Sequence, residues 1–332
     1  MPASDMAQQA AGLGAQLRWA AELEVEPVAP AASVIVAGMG GSGISGDFAA
    51  ATAAVPLTVH KGYGLPPWAI STVPLVCVVS HSGNTEESLS AAMDAFAAGL
   101  PVGVVTSGGE LAALAAANGW PTATVPGGLA PRASLGYLLG GLLRMLAAAG
   151  AIPDPGADLI EAADLADELH QAAGAGHALA ADLAEGLDGR IAILYGSTGI
   201  TAAVAQRWKT QINENAKWPA WWSTLPELDH NEIEGWAALS QLTSARVGII
   251  ALRDVGEHPS LARRFGFTEG LLDDDAEWVG EVWTQGESKL ARLISASVIG
   301  DLVSLELAAR AGQDPGRVPK IEQLKQLLSQ EA

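Results

Sequence analysis

Two stretches rich in glycine and hydroxyl side chains follow predicted β-strands in the first third of the chain. The first reads Gly38-Met39-Gly40-Gly41-Ser42-Gly43 and the second reads Ser80-His81-Ser82-Gly83-Asn84-Thr85. Backbone N–H groups at the start of a helix bind small anions, and serine or threonine hydroxyls add donors. Either stretch alone could be an ordinary capped turn, but two on neighbouring strands predict a phosphate site. The candidate phosphate-binding residues are Gly41, Ser42, Ser80, Ser82 and Thr85.

The first stretch also matches the G-x-G-x-x-G pattern of dinucleotide-binding proteins. That function needs an acidic residue at the end of the next strand, where it binds the ribose hydroxyls. The next predicted strand, 57–61, ends in His60 and Lys61 and has no acidic residue there. The sequence therefore favours a small anion over NAD, held in a phosphate site that uses no lysine.

A second group of residues could move protons. Glu214 precedes a tryptophan cluster that begins at Trp218, and a carboxylate sheltered from water can take a proton and return it. Asp229 and Glu232 flank His230 in a capping-box pattern, which predicts that His230 lies in the first turn of a helix. The positive end of that helix would keep the imidazole neutral and able to accept a proton.

Two basic residues could supply positive charge. Arg132 follows Pro131, which helps to aim the loop, and a guanidinium stays charged at any working pH. Lys325 lies on a predicted terminal amphipathic helix, where a lysine usually faces solvent. From the residues alone, surface or purely structural roles stay open for both of them, and equally for Glu214 and His230.

The composition excludes several classes of function. The 332 residues carry 18 Lys plus Arg and 37 Asp plus Glu, a net charge of -19, and 49% of them are hydrophobic. This is typical of a compact acidic globular protein, and no basic stripe interrupts the negative charge, so nucleic acid is not an expected partner. The most apolar helical stretch, 135–152, contains Arg144 and several glycines, which favours a buried helix over a membrane span.

The sequence gives no sign of metal or disulfide chemistry. The only cysteine, Cys77, lies in the apolar run 75–79 and is predicted to be a buried strand residue. The histidines show no H-x-H or H-E-x-x-H spacing, so we predict no metal and no cofactor. Residues 1–9 contain no basic residue, so no signal peptide is visible and the cytoplasm is the expected location.

Apolar runs alternate with alanine-rich helical stretches through much of the chain. The predicted strands are 33–37, 75–80, 102–106, 190–195 and 246–252. This alternation predicts an α/β fold of mainly parallel sheets flanked by helices on both faces, in three layers. Because a strand, a small-residue turn and a helix recur in both halves, we predict an N-terminal domain over 1–152 and a C-terminal domain over 153–332. The second includes a linker helix and C-terminal helices that pack back on the body.

The motifs together resemble sugar isomerase (SIS) domains and, more closely, the bifunctional phosphoglucose/phosphomannose isomerase family. The matching segments are 38–47, 80–87, 131–136, 213–217 and 226–232, with the tail 314–315 and 321–325. The resemblance implies two SIS-type domains and a metal-free aldose–ketose isomerase of carbohydrate metabolism, in glycolysis and gluconeogenesis. It would interconvert glucose 6-phosphate, and mannose 6-phosphate, with fructose 6-phosphate. The resemblance also implies a homodimer with the active site near its interface.

Residue roles follow from position in the motifs of this family. The resemblance implies that Ser42, Ser80, Ser82 and Thr85 hold the phosphate, and that Arg132, Glu214, His230 and Lys325 surround the sugar. Two positions depart from the family pattern: Val318 stands where a threonine is common, and His81 where a tyrosine is often found. The alternative is a phosphosugar-binding sensor that keeps the phosphate site without turnover.

Overall fold

The computed structural model describes residues 3–331, and within that range it contains two parallel β-sheets and fourteen α-helices. The strands are β1 (Val34–Ala37), β2 (Leu57–His60), β3 (Leu75–Ser80), β4 (Val102–Thr106), β5 (Thr122–Thr124), β6 (Ile191–Ser197), β7 (Ala220–Leu225), β8 (Val247–Arg253) and β9 (Trp278–Trp283). The predicted α/β fold of parallel sheets flanked by helices is confirmed.

The helices connect successive strands and cover the sheets. They are α1 (Ala3–Ala11), α2 (Leu13–Glu22), α3 (Gly40–Thr52), α4 (Ala69–Thr72), α5 (Glu86–Ala97), α6 (Gly109–Asn118), α7 (Leu135–Ala148), α8 (Gly156–Leu169), α9 (Ala175–Leu187), α10 (Ile200–Gln211), α11 (Ser240–Arg246), α12 (Pro259–Leu272), α13 (Lys289–Arg310) and α14 (Pro319–Glu331). None of the helices in the described part of the chain is long and apolar enough to cross a membrane.

The chain forms two compact units. The N-terminal unit consists of residues 11–168 and 284–295, and the C-terminal unit consists of residues 3–10, 169–283 and 296–331. The domain limits 1–152 and 153–332 stay a prediction.

The N-terminal unit is built on a sheet of order β2-β1-β3-β4-β5, in which all neighbouring strands are parallel. Every residue of β1, β3 and β4 is buried, which explains why these strands are continuous apolar runs rather than alternating patterns. Cys77 lies in β3, where burial raises the pKa of its thiol to about 12. The prediction that Cys77 is a buried strand residue is confirmed.

The C-terminal unit is built on a parallel sheet of order β7-β6-β8-β9. The runs at 190–195 and 246–252 are confirmed as β6 and β8, whereas β7 and β9 were not predicted. Both are edge strands with tryptophans that are partly exposed, so they lack the continuous apolar run of a central strand.

A buried polar network joins α10 to α13 within the C-terminal unit. Arg207 donates to Asp301 at 2.6 Å, and Gln211 donates to the other oxygen of the same carboxylate at 2.7 Å. One further turn along, Asn215 donates to Ser304 at 2.9 Å. These contacts fix the segment that carries residue 214, because 207, 211 and 215 recur every four residues on one face of it.

Replacing Asp301 with alanine should destabilise the protein by about 3–5 kcal/mol, because it leaves the buried Arg207 guanidinium without its carboxylate. The free energy of unfolding from urea titration measures the loss. Changing both partners, Arg207→Met with Asp301→Leu, should recover most of it, since no buried charge is then left unpaired. A loss below about 1 kcal/mol in Asp301→Ala would contradict this account.

Candidate active site

The two glycine- and serine-rich stretches lie at the carboxyl ends of the adjacent strands β1 and β3. We call residues 38–43 the first glycine turn and residues 80–85 the second glycine turn; α3 begins within the first, at Gly40, and α5 follows the second. The strand order reverses direction between β1 and β3, since β2 lies on one side of β1 and β3 on the other. Crevices at such reversals are where open parallel sheets bind ligands.

Hydrogen bonds hold the two turns together. The backbone N–H of His81 donates to the hydroxyl oxygen of Ser42 at 3.2 Å. Within the second turn, the hydroxyl oxygens of Ser80 and Thr85 lie 3.0 Å apart, and the Gly83 N–H donates to Ser80 at 3.2 Å. Serine hydroxyls that accept these hydrogen bonds can still donate a hydrogen bond to an anion.

The predicted phosphate-binding residues differ in exposure. Ser42 and Ser80 are buried, Thr85 is half-buried just before α5, and Ser82 is exposed. The Ser82 hydroxyl accepts the Asn84 N–H at 3.2 Å. The structure therefore brings Ser42 next to the second turn, and it places Ser80 against Thr85.

Arg132 lies in a short 3-10 turn, Pro131–Ala133, which we call the arginine turn. This turn packs against Gly41, because a Cβ atom at Gly41 would lie 2.9 Å from the Pro131 carbonyl oxygen. Arg132 is only 7% exposed, and Gln16 of α2 donates to the Ala133 carbonyl at 2.8 Å. The arginine turn and the first glycine turn thus meet through backbone, with no side chain between them.

From the sequence, Lys61 was given no role beyond ending the predicted strand 57–61. Its ammonium group contacts Asp47 at 2.5 Å, and its side-chain carbon would lie 3.1 Å from a Cβ atom at Gly43. Burial raises the pKa of Asp47 more than the neighbouring Lys61 lowers it. A lysine therefore borders the first glycine turn, and the position of β2 beside β1 was the signal that could have found it.

Glu214 lies in a π-helical turn, Ile212–Ala216, which directly follows helix α10. Such turns widen the helix by one residue and are frequent at functional sites. Lys217 ends the turn with φ of 56° and donates to the Asp314 carbonyl at 2.5 Å. The π-helical turn is thereby attached to the tail that leads into α14.

Glu214 lines a cavity of about 420 Å³ within the C-terminal unit. The lining residues are Asn213, Glu214, Lys217, Trp218, Pro219, Val318, Pro319, Lys320 and Ile321. Of the tryptophans expected around Glu214, Trp218 is among these, whereas Trp221 and Trp222 lie on β7 with 57% and 38% of their surface exposed.

The predicted helix start at His230 is wrong. His230 is exposed and is the last residue of a 3-10 turn, Glu227–His230. Asp229 does not cap a helix, because its carboxylate accepts from Arg264 at 2.7 Å and from Thr268 at 2.8 Å. The argument that a positive helix end keeps His230 neutral therefore fails.

Glu232 has a different partner from the one that a capping box requires. It accepts the Tyr195 hydroxyl at 2.7 Å, and burial with this carboxylate raises the pKa of Tyr195. Asn231 caps the next 3-10 turn instead, accepting the Glu232 N–H at 2.6 Å. His230 thus ends one short turn, and Asn231 separates it from the next.

Lys325 is exposed on α14, as the sequence suggested for a terminal helix. It lies one helical turn after Ile321, which lines the cavity that contains Glu214. Residues four apart share a helix face, so Lys325 lies on the cavity face of α14.

Comparison with known proteins identifies the family. A family model of the bacterial phospho-glucose isomerase C-terminal SIS domain matches residues 177–328. A bifunctional phosphoglucose/phosphomannose isomerase of Caldicellulosiruptor bescii is 37% identical over 306 residues, covering 90% of this chain and 89% of that protein. The chain belongs to the bifunctional phosphoglucose/phosphomannose isomerase family.

A further member of this family also aligns over most of the chain. The bifunctional phosphoglucose/phosphomannose isomerase of Aquifex aeolicus is 34% identical over 322 residues, covering 96% of both chains. Among solved structures, a hypothetical protein from Thermus thermophilus superimposes with a TM-score of 0.68 at 16% identity, covering 98% of this chain and 90% of that one. That likeness shows the fold alone.

The second glycine turn of this phosphoglucose/phosphomannose isomerase family member leaves no space at Gly83. Gly83 has φ of 68°, and a Cβ atom there would lie 1.8 Å from the Gly108 carbonyl oxygen. Gly83→Ala should therefore destabilise the protein by more than about 2 kcal/mol and abolish its thermal stabilisation by inorganic phosphate.

Gly99 is the matched control for this change. It has φ of 67°, but nothing lies within 4 Å of the place that a Cβ atom would take, so Gly99→Ala adds only the backbone strain of about 1 kcal/mol. Urea denaturation and thermal shifts with phosphate measure both variants. Equal losses in the two would show that the second glycine turn is not closely packed.

Proposed function

We propose that this protein is an aldose–ketose isomerase that interconverts glucose 6-phosphate and mannose 6-phosphate with fructose 6-phosphate. The observation that supports this most strongly is the pair of hydrogen-bonded glycine turns at the reversal between β1 and β3. Relatives that are 33–37% identical over at least 90% of this chain carry the name of that activity. Both facts point to a sugar that carries a phosphate.

The phosphate would be held by neutral donors. Ser42, Ser80 and Thr85 offer hydroxyls around the start of two helices, whose backbone N–H groups point towards the turns. The backbone N–H of Gly41 and the exposed hydroxyl of Ser82 complete the proposed set. Hydrogen bonds from such groups to a charged phosphate are among the stronger ones in proteins.

The chemistry proposed is proton transfer through an enediolate. During ring opening, His230 accepts the proton of the C1 hydroxyl, the C1–O5 bond breaks as the C1 carbonyl forms, and His230 passes the proton on to O5. Lys325 donates a hydrogen bond to the sugar. Glu214 takes the proton from C2 of the open aldose, the electrons of that C–H bond form the C1–C2 double bond, and the π electrons of the C1 carbonyl move to O1 to give the enediolate. Glu214 then returns the proton to C1, while the hydroxyl proton moves from O2 to O1, giving the ketose.

Arg132 would stabilise the negative charge of the enediolate. A guanidinium cannot lose its proton at working pH, and burial strengthens its interaction with an oxyanion. The arginine turn, held between Gly41 and Gln16, supports this role because it leaves the backbone at Arg132 little freedom. The proposed route uses no metal and no cofactor.

We further propose that the protein is a cytoplasmic homodimer. Support comes from α14, where four large apolar side chains remain exposed in one chain: Ile321, Leu324, Leu327 and Leu328. Apolar side chains clustered on one helix commonly mark a protein interface. A partner that covered α14 would also bring Lys325 out of bulk solvent.

The second candidate, a phosphosugar sensor without turnover, is supported by Val318. This residue lines the cavity beside Glu214 and replaces a hydroxyl that is common in the family. Binding of fructose 6-phosphate without production of either aldose phosphate would favour the sensor.

Purified protein should convert fructose 6-phosphate to glucose 6-phosphate and mannose 6-phosphate in assays coupled to their detection. Glu214→Gln should lower kcat by about 10²–10⁴-fold with little change in KM, because the amide cannot carry the proton. Glu185→Gln is the control, since Glu185 is an exposed glutamate of α9 in the same unit. Isomerisation that survives in Glu214→Gln at the wild-type rate would remove Glu214 as the proton carrier.

Light scattering should give a particle of twice the chain mass of 33.9 kDa. Placing two charges on the exposed apolar face, Leu324→Glu with Leu328→Glu, should shift the particle towards the monomer because buried carboxylates are costly. Gln323→Glu on the same helix is the control and should leave the dimer intact. A wild-type monomer, or a double variant that stays dimeric, would contradict the role of α14.

A further inference from the structure

His81 lies within the second glycine turn and contacts the first. It is the second residue of the second glycine turn, directly after β3, and it is 7% exposed. Its backbone N–H donates to Ser42, and its carbonyl accepts from the Ser107 N–H at 3.2 Å and from the Ser107 hydroxyl at 2.6 Å. The backbone of His81 therefore joins the two glycine turns and the segment after β4.

The imidazole of His81 contacts a different segment. Its Nε2 lies 3.1 Å from the hydroxyl oxygen of Ser134, and the ring also hydrogen-bonds the Pro126 carbonyl. Ser134 is fully buried and directly follows the arginine turn, where α7 begins. The same hydroxyl donates to the Ala130 carbonyl at 3.1 Å, on the other side of that turn. His81 thus contacts the hydroxyl that itself joins the two ends of the segment that carries Arg132.

We propose that the His81 side chain is a positioning residue that aims Arg132 at the reacting carbons, acting through Ser134 and the arginine turn. This inference rests on the proposed isomerase function and deepens it by assigning a residue to the orientation of the charge that stabilises the enediolate. Burial lowers the pKa of His81, against the hydrogen bond to the Pro126 carbonyl, which raises it. The backbone of His81 joins the two glycine turns, whereas its side chain contacts Ser134 at the end of the arginine turn.

This division separates two kinds of effect. A substitution at His81 keeps the backbone N–H that donates a hydrogen bond to Ser42, so the two glycine turns stay joined. The arginine turn loses its contact with the His81 ring but keeps the hydrogen bond from Gln16 to Ala133 and its packing against Gly41. We therefore expect the turn to stay folded with the backbone at Arg132 displaced, and misplaced catalytic groups lower kcat more than they weaken substrate binding.

The test measures kcat, KM and melting temperature in variants of His81 and Ser134. His81→Leu and Ser134→Ala should each lower kcat about tenfold while KM for fructose 6-phosphate changes less than about twofold. His81→Gln keeps a polar group able to reach Ser134 and should recover part of the loss. The double variant should be no worse than either single one, because both changes break the same contact.

A variant of the first glycine turn gives a matched comparison for the effects on kcat and KM. Ser42→Ala removes a proposed phosphate donor and should raise KM with a smaller effect on kcat. In an Arg132→Lys background, His81→Leu should cause no further loss of kcat, since the residue through which it acts is already changed. A merely structural role would lower the melting temperature equally in both backgrounds and would still reduce kcat in each.

Three results would overturn the inference: an unchanged kcat in folded His81→Leu, losses that multiply in the double variant, or an undiminished effect of His81→Leu in the Arg132→Lys background. If His81→Leu does not fold, Ser134→Ala and His81→Gln decide by the same criteria.

Binding separates this inference from the proposed function. If the wild-type protein shows no turnover, the isomerase proposal fails. Calorimetry then tests the positioning role through the binding affinities of two ligands. The ligands are fructose 6-phosphate and an aldonic acid phosphate whose carboxylate resembles the enediolate. His81→Leu should weaken the carboxylate ligand about tenfold more than the ketose; equal weakening would overturn the inference.

Discussion

The hydrogen bond from the His81 backbone to the Ser42 hydroxyl joins two turns that are 39 residues apart in sequence. It can form only because β1 and β3 are parallel neighbours whose carboxyl ends meet at the same edge of the sheet. Continuous burial of both strands fixes that pairing. The positions of the two glycine turns and of the arginine turn therefore follow from how the central strands pack.

Glycines allow this close approach. Gly41 lets the arginine turn lie against the first glycine turn, and Gly83 lets the second lie against Gly108, where a Cβ atom in either place would meet a carbonyl oxygen. The net charge of -19 is no obstacle to a phosphorylated substrate, because hydroxyls, backbone N–H groups and the buried Arg132 act at short range. Net charge bears on large anionic partners such as nucleic acid rather than on a small anion in a crevice.

Much of the fold could be predicted from the sequence because buried parallel strands are continuous apolar runs, as β1, β3, β4, β6 and β8 are. The edge strands β7 and β9 lack that pattern, since their tryptophans are partly exposed. His230 was misplaced because a capping box is a local pattern, whereas Asp229 is taken by Arg264 and Thr268 of α12, far along the chain. The π-helical turn at Glu214 likewise depends on contacts with α13 and the tail, which helix propensity does not contain.

The central claim is that the two glycine turns together hold one phosphate. A crystal structure with fructose 6-phosphate bound tests it most directly. The account predicts the phosphate at the ends of β1 and β3, with its oxygens within about 3 Å of the Ser42 and Thr85 hydroxyls. A phosphate bound elsewhere, or bound by only one of the two turns, would contradict it.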